Sequence, residues 1–344
     1  MSKGIILPFG AVLNLVSRIV LSQVVELIEN KQNFGITTHI KPDGDGLGSS
    51  LGLCWLLRSL GKSAEVIVHG EIPPSYRALP GADEVRDVVA IDKKYDAVFV
   101  IECSDLSRPG IEGLDSQFTV NIDHHASGDH YGSVNWIDST ASAVGEMIYN
   151  LCKAIGGRVT KEIAECVYMA LVTDTGSFHY SNTTDRTLKV ASELVKAGAQ
   201  PAKISECIYH SYPWSRIELM RQVIGTIKRH ADGKIATMRQ TLEMRETADA
   251  VDGDNNGFVN IPLAARDVLA SVYMREIGEK KYRVSLRSKG DINVARVAAK
   301  FGGGGHNNAA GLSIEGDWDE CEAEIVNKLR TEINQFDINS TNPD

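Results

Sequence analysis

The sequence has no excess of basic residues, because its 36 Lys and Arg are outnumbered by 45 Asp and Glu, for a formal net charge of −9. Tight binding to long DNA or RNA requires many cationic side chains that displace counterions from the phosphates. We therefore do not expect long nucleic acid as a partner. A small anionic substrate, held by a few local cations, is compatible with this charge.

Paired cysteines and long apolar runs are also missing. The six cysteines are scattered and none has Cys-x-x-Cys spacing, which argues against a structural zinc site and a disulfide framework and favours a reducing compartment. The apolar stretch 4–16 contains Pro8 and is shorter than the ~20 residues that span a bilayer. We therefore predict a cytoplasmic protein without membrane contact, whose N-terminal segment forms a buried helix or a homodimer contact.

Short apolar strands alternate with helical patterns in the first half of the chain. We predict strands at 34–39, 64–68, 97–101 and 118–122, with helices at 19–29, 47–60 and 141–155. Nearly continuous apolar strands separated by helices are typical of a parallel sheet covered on both faces. The prediction is an α/β protein with a mostly parallel N-terminal sheet.

The pattern becomes almost entirely helical over 161–229 and mixed again near Gly233. We predict a catalytic domain at 1–215, a helical connector at about 212–230 and a smaller α/β domain at 230–336. The polar tail 337–344 is predicted to be disordered.

Three candidate metal ligands follow the first predicted strand within seven residues: His39, Asp43 and Asp45. Open α/β sheets bind their ligands at the carboxyl ends of the strands. Pro42 and the neighbouring glycines bend the backbone, so both carboxylates can converge. A solvated turn that only caps the following helix is the alternative interpretation.

Further acids and imidazoles follow other predicted strands or lie near apolar runs: Glu102, Asp123, His124, His125 and Asp174. A carboxylate at the end of a buried strand is costly unless a cation meets it. Oxygen and nitrogen ligands without thiolates favour Mn²⁺, with Mg²⁺ as the second candidate. The number of ligands fits two ions, roughly 3.5–4 Å apart, that share a bridging carboxylate.

A glycine run in the second domain, Gly302 to Gly305, precedes His306. Without Cβ atoms, backbone N–H groups can approach a phosphate closely. Upstream, Arg287 and Ser288 end a predicted strand, and a guanidinium suits bidentate phosphate binding. A flexible hinge is the alternative interpretation of the glycines. Groups on two domains predict an active site in a cleft between them.

Four motifs occur in order: H-x-x-P-D-x-D-x-x-G-S, Asp-His-His, T-D-T-G-x-F and G-G-G-H-x-x-A-A-G. From about residue 19 to 335, the sequence resembles the DHH phosphoesterase superfamily with its DHH-associated C-terminal domain. Within that superfamily it is most similar to the branch of nanoRNases and phosphoadenosine-phosphate (pAp) phosphatases.

The resemblance implies that His39 and Asp43 hold one ion. It implies that the other ion is held by Asp45, His124 and Asp174. The bridging position, usually Asp in the family, is Glu102 here, and Asp105 is the alternative bridge.

The resemblance also implies roles around the phosphate. Asp123 would orient His124, and His125 would contact the phosphate. The same role is implied in the second domain for Arg287, Ser288, Gly303, Gly304, Gly305 and His306.

We therefore predict a two-metal phosphoesterase that hydrolyses very short RNA to mononucleotides, dephosphorylates pAp, or does both. The alternatives are a cyclic- or linear-dinucleotide phosphodiesterase in signalling and a catalytically silent nucleotide sensor. A pyrophosphatase and a processive exonuclease fit less well, because the second domain resembles the oligonucleotide branch and the chain is acidic.

Overall fold

The computed structural model describes residues 15–125 and 128–341. The chain divides between Ser211 and Tyr212 into two compact units; we call them the N-terminal unit and the C-terminal unit. Most of the apolar segment at 4–16, for which a buried helix or dimer contact is predicted, lies outside the described residues. Among the described residues, no helix is long and apolar enough to cross a membrane.

The N-terminal unit contains a parallel sheet. Its strands are β1 (Asn33–Thr37), β2 (Ser63–Val68), β3 (Arg86–Asp87), β4 (Ala97–Ile101), β5 (Thr119–Asp123) and β6 (Val134–Ile137). They lie in the order β3-β2-β1-β4-β5-β6, and every pair is parallel. The strand order therefore reverses between β1 and β4, which is where open α/β sheets place their ligands.

Helices pack around this sheet. They are α1 (Leu15–Asn30), α2 (Gly44–Ser59), α3 (Val144–Ala154), α4 (Lys161–Asp174), α5 (Asp185–Ala197) and α6 (Pro201–Tyr209). Helix α2 is buried along most of its length, as expected for a core helix. A Cβ on Gly48 would lie 2.5 Å from the carbonyl oxygen of Cys166 on α4. The glycines of α2 thus serve close helix packing as well as the turn before the helix.

The C-terminal unit contains a mixed sheet. Its strands are β7 (Lys228–His230), β8 (Ile235–Gln240), β9 (Ala270–Gly278), β10 (Lys281–Ser288), β11 (Gly304–His306) and β12 (Ala309–Glu315). Its helices are α7 (Trp214–Ile224), α8 (Leu242–Thr247), α9 (Val294–Ala299) and α10 (Trp318–Thr341). The order is β11-β12-β10-β9-β8-β7; β8 and β9 are parallel, and the other pairs are antiparallel.

The predicted α/β class, with a parallel N-terminal sheet and a smaller second sheet, is confirmed. The short strands β3, β6, β7 and β11 were not predicted, because two to four residues are too few to establish a period. Helix α10 extends through 337–341, which belong to the tail for which disorder is predicted. No glycine or proline interrupts the helix before Pro343. A proline disfavours the helical conformation of the residue before it.

Candidate metal centre

The predicted ligands come together at the point where the strand order reverses. His39 follows β1, Glu102 follows β4, and His124 follows β5. Carboxyl ends of neighbouring parallel strands share one edge of the sheet, so three separate stretches of sequence meet there. Glu102 has a positive φ of 57°, a conformation that non-glycine residues rarely adopt and that concentrates at functional sites.

The first turn of α2 supplies two carboxylates. Asp43 caps the helix and accepts hydrogen bonds from the backbone N–H groups of Asp45 and Gly46. A Cβ on Gly46 would lie 2.8 Å from Oε2 of Glu102, so only glycine permits this approach. Asp45 is buried, and its Oδ1 accepts from the Ser49 hydroxyl at 2.8 Å. The helix therefore fixes Asp43 through its cap and Asp45 through the following turn.

Three overlapping groups of side chains have potential ligand atoms within 4.8 Å of one another. The groups are His39, Asp43 and Glu102; Asp45, Glu102, His124 and Asp174; and Glu102, His124 and His125. Glu102 belongs to all three groups and therefore lies at their centre. Asp105, the alternative bridging residue, belongs to none of them and accepts hydrogen bonds from Ser107.

The spacing within the groups suits ligands that share an ion. Nε2 of His39 lies 3.8 Å from Asp43 and 3.6 Å from Glu102. These separations are too long for hydrogen bonds. Two ligands that are each roughly 2.1 Å from one ion lie about 3–4 Å apart.

The ring of His124 is oriented for the same purpose. Its Nδ1 lies 3.2 Å from the carbonyl oxygen of Ala141, which can only accept, so the neutral ring carries its proton there. Nε2 then presents its lone pair 3.9 Å from Asp45 and 3.7 Å from Asp174. Among the described residues, nothing hydrogen-bonds to this Nε2 or to Oε2 of Glu102. Buried polar atoms rarely lack partners, and a cation would provide one.

Burial and charge crowding shift the pKa values of the group. Burial raises the pKa of Glu102 well above its ordinary range, that of Asp45 to about 7 and that of Asp174. Burial lowers the pKa of His39, but its contacts with Asp43 and Glu102 outweigh this effect and raise that pKa to about 10. A divalent cation would remove the repulsion between these carboxylates. The donor set, the spacing and the unpartnered atoms thus fit divalent metal ions.

Asp123 and His125 form a hydrogen-bonded pair at the end of β5. Oδ1 of Asp123 accepts from the backbone N–H of His124 at 2.7 Å and contacts Nδ1 of His125 at 2.8 Å. This contact raises the pKa of His125, and although burial alone would raise the pKa of Asp123, His125 lowers it. The sequence suggested that Asp123 orients His124; the structure shows that Asp123 holds the backbone of His124 and the ring of His125.

Ser49 and Asn182 support the ligands but were not predicted. Ser49 is four residues after Asp45 on one helix, a spacing that places side chains side by side. The amide of Asn182 donates to the carbonyl oxygen of Asp174 at 3.2 Å and to its carboxylate at 3.4 Å. The spacing could have identified Ser49, whereas no local pattern identifies Asn182.

In the C-terminal unit, Arg287 and His306 lie on one face of the sheet. Arg287 pairs with Ala309 on β12, which pairs with His306 on β11, and directly opposed residues of antiparallel strands point to the same face. Two strand spacings separate the backbones of Arg287 and His306 by roughly 10 Å. Because Ala309, which lies between them, has a small side chain, there is room for an anion between the guanidinium and the imidazole.

The structure distinguishes the glycines of this motif. A Cβ on Gly303 or Gly305 would lie 2.2 or 2.4 Å from a carbonyl oxygen of β12, so close strand packing requires both residues. The N–H of Gly303 donates to Ala298. A Cβ on Gly304 would meet nothing within 4 Å. A Cβ on Gly302 would also meet nothing within 4 Å, so Gly302 and Gly304 are the glycines of this run with open space for a ligand.

Ser288 is occupied within the fold. Its hydroxyl donates to the carbonyl oxygen of Ile292 at 2.6 Å and accepts from the amide of Asn308 at 3.0 Å. These bonds tie the end of β10 to the loop before β12. Ser288 therefore supports this loop in the structure.

Comparisons with known proteins agree with the fold and identify the family. The model of the DHH family, N-terminal domain, matches residues 33–171, and that of the DHHA1 domain matches 248–336. A Thermus thermophilus protein named bifunctional oligoribonuclease and PAP phosphatase NrnA is 34% identical over 301 residues, covering 87% of this chain and 89% of that protein. A Bacillus subtilis protein of the same name is 30% identical over 308 residues, covering 83% and 90%.

Solved structures show the same architecture. An exopolyphosphatase-related protein from Bacteroides fragilis superposes with a TM-score of 0.85 at 28% identity, covering 93% of this chain and 98% of that one. RecJ from Thermus thermophilus in complex with Mn²⁺ has a TM-score of 0.51 at 15% identity, covering 98% of this chain and 56% of RecJ; this similarity concerns the fold alone.

The fold, the cluster of acids and imidazoles and the family match define the class of this protein, a phosphoesterase whose α/β domain carries a cluster that could bind metal ions. The chain belongs to the DHH family, and its C-terminal part is a DHHA1 domain. The resemblance noted in the sequence is thereby confirmed.

Proposed function

We propose that this protein is a two-metal phosphoesterase that hydrolyses very short RNA to mononucleotides and dephosphorylates pAp. The observation that carries the proposal is the cluster of acids and imidazoles around Glu102, within which the groups lie at ligand-sharing distances. This chain aligns with 89% and 90% of the length of two relatives named bifunctional oligoribonuclease and PAP phosphatase, which supports the substrate class.

The proposed ligands follow the grouping of side chains. His39 and Asp43 would hold one ion, and Glu102 would contact both. The ligands proposed for the second ion are Asp45, His124 and Asp174. We propose Mn²⁺ as the preferred ion and Mg²⁺ as the alternative, because carboxylates and imidazoles are combined without thiolates. Such an ion pair makes water more acidic and offsets charge on phosphoryl oxygens.

His125 is proposed to act directly on the phosphate. Its Nδ1 is held by the buried carboxylate of Asp123, so the ring keeps one orientation and its Nε2–H can donate to a phosphoryl oxygen. A donor held in place before the reaction stabilises charge that develops in the transition state. Asp123 is the residue that keeps this donor protonated and aligned.

The C-terminal unit is proposed to bind the phosphate of the substrate. Arg287 supplies a guanidinium suited to two parallel hydrogen bonds, and His306 supplies a ring donor. The open side of Gly304 allows a phosphate to approach the backbone. Gly303, Gly305 and Ser288 would hold this arrangement in shape.

A cytoplasmic location is also proposed. All six cysteines are free, and five of them are buried, which fits a reducing compartment. The expected substrates are short oligoribonucleotides or small phosphorylated nucleotides rather than long nucleic acid.

The proposal is tested with metal-stripped protein supplied with Mn²⁺. The substrates are RNA dinucleotides to pentanucleotides, pAp, a cyclic dinucleotide and pyrophosphate. We expect mononucleotides from the shortest RNAs and phosphate from pAp, with both activities lost on chelation. His124→Ala should abolish them, whereas His130→Ala, at an exposed position in the same unit, should not.

Other outcomes would contradict the proposal. Preference for the cyclic dinucleotide would make the protein a signalling phosphodiesterase. Nucleotide binding without turnover of any substrate would make it a sensor.

A further inference from the structure

One loop that follows the carboxyl end of β6 contacts the candidate metal centre. It comprises residues 138–143, between β6 and α3, and we call it the ligand loop. The carbonyl oxygen of Ala141 in this loop holds Nδ1 of His124. The first two backbone N–H groups of α3 donate to the carboxylate of Asp45, at 2.7 and 3.0 Å. The loop and the helix start that it leads to therefore set the orientation of two proposed ligands.

The ligand loop also reaches the third proposed ligand of the same ion. The amide of Asn182 donates to the carbonyl oxygen of Ser142 at 3.0 Å and, as noted, to Asp174. One short segment is thus connected to every protein ligand proposed for one ion, apart from the shared Glu102.

The conformation of the ligand loop depends on a charged pair. Glu146, fully buried on the first turn of α3, accepts from the backbone N–H of Ser142 at 3.1 Å and from its hydroxyl at 2.8 Å. The other carboxylate oxygen of Glu146 forms an ion pair with Nε of Arg186 on α5. A terminal nitrogen of Arg186 donates to the carbonyl oxygen of Thr140 at 2.6 Å. The pair therefore holds the loop on both sides of Ala141.

Stability alone does not account for this pair. Removing a carboxylate and a guanidinium from water is costly, so replacing a buried ion pair with apolar side chains is often neutral or stabilising. An apolar pair could not hydrogen-bond to the two polar backbone groups of this loop and hold them at defined positions. Such support behind metal ligands typically changes metal affinity.

We propose that Glu146 and Arg186 form a positioning pair that sets the affinity of the centre for a divalent ion. The pair acts through the ligand loop: it keeps the proton of His124 on Nδ1 and the carboxylate of Asp45 turned towards the site. Neither residue belongs to the groups of candidate ligands. This inference rests on the proposed metal function.

Mn²⁺ titration of the full-length, metal-stripped protein by calorimetry tests the inference. Glu146→Gln keeps an acceptor for Ser142 but loses the charge that pairs with Arg186. We expect Mn²⁺ to bind roughly 10–100-fold more weakly. Turnover should fall at limiting Mn²⁺ and recover at high Mn²⁺, while KM for an RNA dinucleotide at saturating Mn²⁺ stays unchanged.

Glu65→Gln is the matched control. Glu65, on β2, has several charged partners, Arg86 and Lys93 among them, and none of these belongs to the candidate ligands. The control should lower the melting temperature without weakening Mn²⁺ binding. A purely structural role of Glu146 would give the same result as this control.

Arg186→Lys provides a second variant if Glu146→Gln does not fold. Its single ammonium cannot reproduce both the ion pair and the bond to Thr140, so it should also weaken Mn²⁺ binding, by a smaller factor. If the folded variants bind Mn²⁺ as tightly as the unmodified protein, the positioning role is wrong. If the unmodified protein binds no divalent ion, the proposed function itself fails, and the two failures are thereby distinguished.

Discussion

The two units use charge in opposite ways. In the N-terminal unit, carboxylates are gathered at the ends of parallel strands, where Asp45 is 1% exposed and Glu102 is 5% exposed. In the C-terminal unit, a cation and an imidazole lie on one face of three antiparallel strands of the mixed sheet, beside exposed glycines.

The difference follows from what each site is proposed to bind. Divalent ions require several anionic or neutral ligands at fixed distances, which a rigid, buried setting provides. A phosphate requires donors that it can reach, which an exposed strand edge and an open glycine provide. The first site therefore depends on ligands fixed in position, and the second depends on donors that remain exposed to the substrate. Four predictions test this contrast, from the largest expected effect to the smallest.

The largest effect is expected from removing one ligand charge. Asp174→Asn keeps the size of the side chain, and a neutral group there should be tolerated because burial already disfavours the charge. We expect kcat on an RNA dinucleotide to fall by at least about 10³-fold, or roughly 4 kcal/mol, with little change in melting temperature. Asp185→Asn, at an exposed position, is the control and should remain active. Full activity in Asp174→Asn would remove this residue from the proposed ligand set.

Removing the metal should lower the stability of the protein. The crowded carboxylates repel one another, so Mn²⁺ should stabilise the protein by about 2.7 kcal/mol at a hundredfold excess over its Kd. Differential scanning calorimetry with and without chelator measures this shift. The melting temperature of Asp174→Asn should shift less between Mn²⁺ and chelator than that of the unmodified protein. Identical melting curves in Mn²⁺ and chelator would contradict the metal centre.

Truncating Arg287, the proposed phosphate-binding cation, should change substrate binding more than the chemical step. Arg287→Ala should lower kcat/KM by roughly 10–100-fold, because a charged hydrogen bond contributes about 1.5–3 kcal/mol, while Mn²⁺ affinity stays unchanged. Steady-state kinetics measure the effect. Arg283→Ala, on the same strand and at an exposed position, should be nearly silent. Equal losses in the two variants would indicate a general charge effect.

The smallest effect is expected at the bridging position. Glu102→Asp shortens the side chain by one methylene but keeps its charge, so activity should stay within about tenfold, or roughly 1.4 kcal/mol. Glu102→Gln, which keeps the length and loses the charge, should lose far more. Turnover of both variants with Mn²⁺ and Mg²⁺ would show whether length or charge matters. A tolerated Glu102→Gln would argue against a bridging carboxylate.

Much of the fold was predictable, because apolar runs and helical periods are local properties. The strands at 97–101 and 64–68 were placed to within one residue. The helix predicted at 141–155 begins only at Val144, since Ala143 is extended and the carbonyl oxygens of Ala141 and Ser142 contact His124 and Asn182 rather than the next helical turn. Strands too short to show a period were missed for the reason given above.

The sequence by itself determined which residue types follow the strands and in what order the motifs occur. The four ordered motifs were enough to indicate a resemblance to the DHH family, and the acids and imidazoles at strand ends were enough to indicate the candidate ligands. Only the tertiary structure decided that Glu102 lies at the centre of the cluster and that Ala141 holds His124. The same is true of the pair formed by Glu146 and Arg186. The contacts of Ala141 with His124 and of Glu146 with Arg186 join positions 17 and 40 residues apart, and Glu102 meets residues still further away, so no pattern of neighbouring residues encodes them.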